Sequence, residues 1–184
     1  LIGVNGTSIV FPILFALGVS QSGMNADLIN HGQAASHLIN LQMFRISVLG
    51  GAGNTLGLVL LMMLSRVEKF RSIGRLSFIP GMCSINEPVI FGSPIVFNPI
   101  LGIPFILAPI VNLLLTYGAQ KIGLISLGYI VDPSFTPFFA QAYMSTMDWR
   151  NVVFWIALIF VAMVIYLPFF KVCEHNEKMQ EQAM

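Results

Sequence analysis

The sequence predicts an all-α, polytopic membrane protein made of transmembrane helices and broken or re-entrant hairpin elements. Of its 184 residues, 56% are apolar and 9% charged, against about 45–50% and about 25% in ordinary soluble domains. The mean hydropathy is +0.82. Six of the ten prolines fall in one apolar stretch, Leu76 to Gln120, where each removes a backbone donor and disfavours helix at the residue before it. A net charge of +1 offers no electrostatic footprint for nucleic acid, so no nucleic-acid partner is expected.

Residues 3–19 form the first candidate span, polar in its first turn at Asn5, Thr7 and Ser8 and interrupted by Pro12. Such interruptions are tolerated where neighbouring protein satisfies the freed backbone groups. With no basic n-region and no small-residue cleavage site, the segment is not a secretory signal. It reads as a span entered partway, so the chain is expected to be the C-terminal part of a longer polypeptide. Residues 20–42, rich in Asn, Gln and Ser, read as a loop or interfacial stretch.

Residues 43–64 are expected to cross the bilayer as one helix. Arg45 would snorkel from one end, and Gly53 with Gly57 would make a GxxxG pair for close helix approach. Next, Arg66, Lys69, Arg71 and Arg75 face one acid, Glu68. The positive-inside rule puts this basic loop, 65–75, in the cytoplasm, and docking of a soluble partner is a second use for its charge.

Residues 76–97 read as a broken or re-entrant element and 99–117 as a kinked span. The apolar piece 122–131 is too short to cross and reads as a second re-entrant element, with Asp132-Pro133 as a turn. Residues 151–170, bounded by Arg150 and Lys171, have the length and composition of a spanning helix. A charged, soluble tail, 171–184, follows.

Within "SINEPVIFGSPIVFNPI", residues 84–100, Glu87 is the only charged side chain between Leu76 and Gln120. A charge at the centre of a spanning helix costs about 2.5–3.5 kcal/mol on insertion scales, so something must meet it. Asn86 brings amide donors and an acceptor, Pro88 prevents regular helix at Glu87, and Gly81 and Gly92 permit tight turns nearby. This set suits a polyhydroxylated ligand. The competing reading has Glu87 bonded internally, to Arg45 or to freed N–H groups, as a lock on the fold.

Cys83 and Cys173 suggest no disulfide framework. His31, His37 and His175 lack a metal-binding spacing with acids or thiols, so neither a metal nor another cofactor is expected. Trp149 in "MDWR" suits either stacking on a sugar face or anchoring at a membrane interface.

"INEPVIFGSPIVFNP" resembles the Asn-Glu-Pro signature of enzyme IIC, the membrane permease subunit of the bacterial phosphoenolpyruvate-dependent sugar phosphotransferase system, in its lactose/cellobiose/diacetylchitobiose branch. The order of elements after it, through "MDWRNVVFW" to a final span and short tail, is also similar, so the resemblance covers essentially the whole chain. It implies a homodimeric inner-membrane permease whose subunits bind a disaccharide between helices and re-entrant hairpins. A phosphorylated enzyme IIB, carrying its phosphate on cysteine, would then donate it to the sugar's C6 hydroxyl. Glu87 and Asn86 would bind the sugar near that hydroxyl, with Glu87 in the catalytic role.

One departure stands out. Members of this branch often carry Gly-x-His-Gly, where this chain reads "GVNG" at residues 3–6, so Asn5 takes the histidine's place and Thr7 and Ser8 lie beside it. Cys83 lacks the Gly-rich setting of a IIB cysteine, so the phosphoryl carrier is expected on another chain or domain. Residues 1–170 are expected to be the membrane-embedded, substrate-binding domain, with the basic loop 65–75 and the tail 171–184 cytoplasmic. The rival reading is an ion-coupled secondary transporter or channel with Glu87 as its proton or cation site. A third is a non-transporting sensor or assembly subunit that keeps the sugar site.

Overall fold

A computed structural model describes residues 6–183 except 94, 96 and 97, with the side chains of 6–11 and 181–183 also outside the description. Among the described residues there are eight helices: α1 Gly6–Asn30, α2 Leu41–Ser47, α3 Leu56–Met63, α4 Glu68–Met82, α5 Glu87–Gly92, α6 Pro99–Lys121, α7 Phe138–Met144 and α8 Trp149–Ala183. The all-α expectation holds. Two helices, α6 and the Trp149–Gln180 part of α8, are long and apolar enough to cross a membrane.

The central element is α8. Its Tyr166 and Phe170 join Leu58 and Met62 of α3, Val89 of α5 and Leu101 of α6 in one core cluster. Its Trp155 and Leu158 join Ile46 of α2, Leu56 of α3 and Ala142 of α7 in another. Close approach is set by missing Cβ atoms. At Gly57 a Cβ would lie 2.6 Å from the Met163 backbone nitrogen in α8, and at Gly74 one would lie 2.7 Å from that of Met63 in α3.

The expected single helix over 43–64 is not present. The chain is helical over Leu41–Ser47 and again from Leu56, because Gly50, Gly51, Gly53 and Asn54 adopt positive φ and so leave the right-handed helix. Gly57 therefore serves helix approach, whereas Gly53 serves a turn.

The stretch 20–42 is not a loop throughout, since α1 continues to Asn30 and buries Gly18, Ser22 and Asn25 on one face. Ser22 Oγ accepts from the Leu41 amide at 3.0 Å. Asn25 Nδ2 donates to the carbonyls of His37 (2.9 Å) and Gly128 (3.1 Å), while its Oδ1 accepts from the His37 amide at 2.9 Å. These polar side chains peg α1 to the elements beside it instead of facing water.

Proline positions also differ in part from expectation. Pro88 and Pro99 stand at the starts of α5 and α6, where the missing N–H costs nothing. Pro80, Pro104 and Pro109 lie inside helices that continue through them, each losing a single backbone bond while the surrounding turns persist. The break expected within 76–97 falls at residues 83–86, where Ser84 has φ +62. Residues 122–137 form no regular helix, and Tyr129 and Ile130 donate their amides to the Ser145 carbonyl at 3.0 and 3.1 Å.

Both charged segments are more ordered than a loop and a tail. The basic stretch is helical from Glu68, and α8 carries the charged C-terminal residues onward as helix. The two meet: Glu174 Oε1 accepts from Ser65 Oγ (2.6 Å) and the Arg66 amide (2.9 Å), and Lys69 pairs with Glu177.

At the other end, Asp148 caps α8, its Oδ1 accepting from the Arg150 amide at 2.9 Å and its Oδ2 from Ser126 Oγ at 2.7 Å. The Ser126 hydroxyl first, then the Arg150 amide, hold this carboxyl below its ordinary range. Asp148→Ala is expected to cost about 1 kcal/mol, the usual worth of an N-cap, seen as a lower unfolding midpoint at neutral pH. Because the folded carboxyl is the stronger acid, its contribution is present above the unfolded carboxylate pKa and disappears as pH falls through the folded one. The midpoints of the two proteins should therefore converge in acid. Gly57→Ala should cost about 1–3 kcal/mol by overpacking against the α8 backbone, read from the same melts.

Candidate functional site

The site is built on residues 48–55, the loop between α2 and α3. Four of its residues take positive φ: Gly50 (+77°), Gly51 (+92°), Gly53 (+83°) and Asn54 (+53°). The loop closes on itself where Thr55 Oγ1 donates to the Gly50 carbonyl at 2.6 Å and the Leu49 amide donates to Asn54 Oδ1 at 3.1 Å. From α8, the fully buried Tyr166 hydroxyl donates to the Gly53 carbonyl at 2.7 Å.

Asn86 docks on this loop. Its Nδ2 donates to the Ala52 carbonyl at 2.7 Å, across a gap that Gly51 leaves open. A Cβ at Gly51 would come within 2.5 Å of Asn86 Cβ and 2.7 Å of Nδ2. The backbone carbonyl of Asn86 accepts from the amides of Val89 and Ile90, so the residue that grips the loop also starts α5. Among the described residues no partner meets Asn86 Oδ1, which remains able to accept.

Glu87, the first residue of α5, is exposed, whereas Asn86 is 7% exposed. Among the described residues no cation lies within ion-pair distance of Glu87. Arg45, considered above as its internal partner, is committed elsewhere. Its Nε lies 3.1 Å from Asp132 Oδ2, and its Nη2 donates to the Asp132 carbonyl and to Ser134 Oγ, each at 3.1 Å. The guanidinium also lies over the Phe15 ring of α1, 6.0 Å from its centroid. Both partners are buried, the side chains being 7% and 0% exposed. Arg45 therefore does not snorkel, and Asp132 is half of a buried ion pair instead of a simple turn residue.

The other expected residues are not gathered here. Asn5 lies outside the described residues. Thr7 is in α1, with its side chain outside the description. Trp149 opens α8, 66% exposed, beside Arg150, Val153 and Leu124 on a groove of about 390 Å³. From Trp149 to Tyr166 is 17 residues, about 25 Å at 1.5 Å rise per residue, so the indole stands far along α8 from the loop that holds Asn86. Cys83 caps the C-terminus of α4, and both it and Cys173 are free thiols.

Sequence reasoning missed the loop itself, Tyr166 and the Arg45–Asp132 pair. The run Gly-Gly-Ala-Gly-Asn at 50–54 carried the loop signal. The pairing of two residues 87 positions apart carried none.

A family model described as "Phosphotransferase system, EIIC" matches residues 1–109, more than half of the chain, including the loop, Asn86 and Glu87. The lactose-specific EIICB component of Streptococcus mutans is 39% identical over 181 residues, covering 95% of this chain and 31% of that protein. The lichenan permease IIC component of Bacillus subtilis is 33% identical over 184 residues, covering 98% and 40%. Among solved structures, the transporter ChbC, the IIC component of an N,N'-diacetylchitobiose-specific phosphotransferase system, matches with a TM-score of 0.91 at 34% identity. That match covers 98% of this chain and 43% of ChbC. The chain thus spans less than half the length of each of these proteins. By this match of family model, curated relatives and solved fold, the chain belongs to the EIIC family of the phosphotransferase system, a family of integral membrane permeases.

Proposed function

We propose that the chain is the substrate-binding part of a longer permease. It moves a disaccharide of the cellobiose, chitobiose or lactose type across the bacterial inner membrane, coupled to phosphorylation by a phosphocysteine enzyme IIB. The observation that carries this reading is the pairing of opposite states at adjacent positions: Asn86 buried and hydrogen-bonded to the loop, Glu87 exposed and free of any cation among the described residues. A carboxylate kept without a counter-charge in an apolar chain is expensive, and sugar hydroxyls supply the donors it lacks.

In this reading Glu87 accepts from the reacting hydroxyl and orients it, and Asn86 Oδ1 accepts from a neighbouring hydroxyl. Asn5 and Thr7, by the resemblance, complete the set. Of the two roles weighed for Trp149, the interfacial anchor fits its exposed position at the end of a spanning helix. Residues 1–170 form the membrane-embedded part apart from the basic segment 65–75, with residues 41–63 and 76–92 as its broken elements. The exposed apolar faces of α6 and α8, with Ile103, Ile106, Ile110, Val153, Phe160 and Val164, meet lipid, the missing length of chain or a second copy in a homodimer. The contacts of Glu174 and Glu177 with Ser65, Arg66 and Lys69 hold the basic segment and the C-terminal residues on one side, the cytoplasm by the positive-inside rule. Several relatives are EIICB components, which supports enzyme IIB as the partner there.

The test is uptake and phosphorylation by the full-length permease in vesicles. Glu87→Gln should lower the rate about tenfold to a hundredfold, the worth of one hydrogen bond to a charged group, while the protein still melts normally. Uptake at the wild-type rate would contradict the role. Uptake driven by a pH or sodium gradient without phosphorylated enzyme IIB would favour the ion-coupled reading, and sugar binding without uptake the sensor. Gly51→Ala should weaken sugar binding by about tenfold or more, since losing one buried hydrogen bond leaves a polar group unpaired at about 1–3 kcal/mol. Titration of a disaccharide panel by thermal shift measures it.

A further inference from the structure

We propose that the buried Arg45–Asp132 pair is a positioning device, which holds the glycine loop 48–55 in the one arrangement that accepts Asn86. The sugar-related part of this proposal rests on the reading of Asn86 and Glu87 as the substrate site; the positioning of the loop does not.

The loop is gripped at both ends. On the α3 side, the Tyr166 hydroxyl of α8 holds the Gly53 carbonyl at 2.7 Å. On the α2 side the grip is Arg45, three residues before Val48, where α2 ends. Its guanidinium faces one segment: Nη2 donates to the Asp132 carbonyl and to Ser134 Oγ, and Nε lies in ion-pair range of Asp132 Oδ2, each at 3.1 Å. That segment is tied in turn to the end of α7 through Tyr129, Ile130 and the Ser145 carbonyl, and α7 packs on α8 through Ala142 and Trp155. Both ends of the loop are thereby referred to the same helix.

Between the grips two internal bonds, from Thr55 Oγ1 to the Gly50 carbonyl and from the Leu49 amide to Asn54 Oδ1, close the loop on itself, but they do not fix where it sits against Asn86. Glycines at three of its positions have wide access to other backbone conformations, so its path depends on where its ends are held. Arg45 is suited to fixing an end because its Nη2 makes two directional hydrogen bonds, to the Asp132 carbonyl and Ser134 Oγ, beside the carboxylate that balances its charge. The ion pair is poorly suited to stabilising the fold, because two desolvated charges commonly repay no more than well-packed apolar residues would. A pair kept at 7% and 0% exposure in a chain that is 9% charged therefore serves geometry more than stability.

Stability and geometry separate experimentally. In the full-length permease, the apolar pair Arg45→Met with Asp132→Leu should melt close to wild type. Amide hydrogen exchange should accelerate across residues 48–55 while α8 keeps its protection. Affinity for the best-binding member of a cellobiose, chitobiose and lactose panel should fall about tenfold, equivalent to 1.4 kcal/mol. Ser134→Ala trims one partner without touching a charge, and should accelerate the same segment less.

Wild-type exchange across 48–55 in both variants, or acceleration spread evenly over the protein, would overturn the proposal. Faster exchange confined to the loop with unchanged sugar affinity would uphold the positioning role and count against Asn86 and Glu87 as the sugar site. If the double variant fails to fold, exchange in Ser134→Ala decides: acceleration at 48–55 supports the proposal, and an unchanged loop overturns it.

Discussion

The carboxamide of Asn86 reaches the Ala52 carbonyl through space that exists because residue 51 has no side chain. That contact sets the arrangement of the site. It joins the α2–α3 loop to the α4–α5 junction, and Asn86 also begins the short helix that presents Glu87. The glycines permit the approach by both of their properties, tolerance of positive φ and absence of Cβ. Gly53 repeats the logic one turn on, where a Cβ would come within 2.5 Å of the Phe105 ring of α6. The loop is therefore clasped between α5 and α6, with Tyr166 holding it from α8.

Charge is distributed to match a bilayer. Between Arg150 and Lys171, α8 carries no Asp, Glu, Lys or Arg. Its charged contacts lie at the two ends, Asp148 with Ser126 and Glu174 with Ser65. The 26 residues separating those acids span about 39 Å at 1.5 Å each, which exceeds the hydrocarbon thickness of about 30 Å. Two polar side chains of α6 face protein: Asn112 donates to the Leu158 carbonyl of α8 at 3.3 Å, and Gln120 donates to Gln42 of α2 at 3.2 Å. Each such bond ties two elements without exposing a polar group to lipid.

Much of this was legible in the sequence. The uninterrupted apolar run 151–170 announced the long helix, and the clustered prolines announced a broken element whose break falls at 83–86. The lone acid at Glu87 with Asn86 before it pointed to the candidate site, and the structure has Asn86 buried and Glu87 exposed there. Mean hydropathy misled at 43–64, because glycine and alanine count as apolar whether they continue a helix or end one. Positive φ is a backbone property that the Gly-Gly-Ala-Gly-Asn run allows without an apolar signal of its own. Polarity misled at 20–30, where Ser22 and Asn25 are pegs in a helix and not a solvated loop. What could not be read was pairing at long range. Nothing local to Arg45 or Asp132 names the other, since their approach is a product of the fold.

That pairing changes what Glu87 means. An apolar chain that must bury an ionised acid has to bring a cation to it, because the unpaired charge costs more than the pair, and this chain does so at Asp132 with a guanidinium that also takes a backbone carbonyl and a hydroxyl. The same arginine sits on α2, directly before the loop that receives Asn86, yet its donors point to the 132–134 segment. Asp132, at 3% exposure, is enclosed and neutralised by a partner, whereas Glu87 is exposed with none among the described residues. The two carboxylates thus occupy opposite environments within one fold. One is consumed by the architecture and the other is left available, which is the condition a ligand-binding acid has to meet.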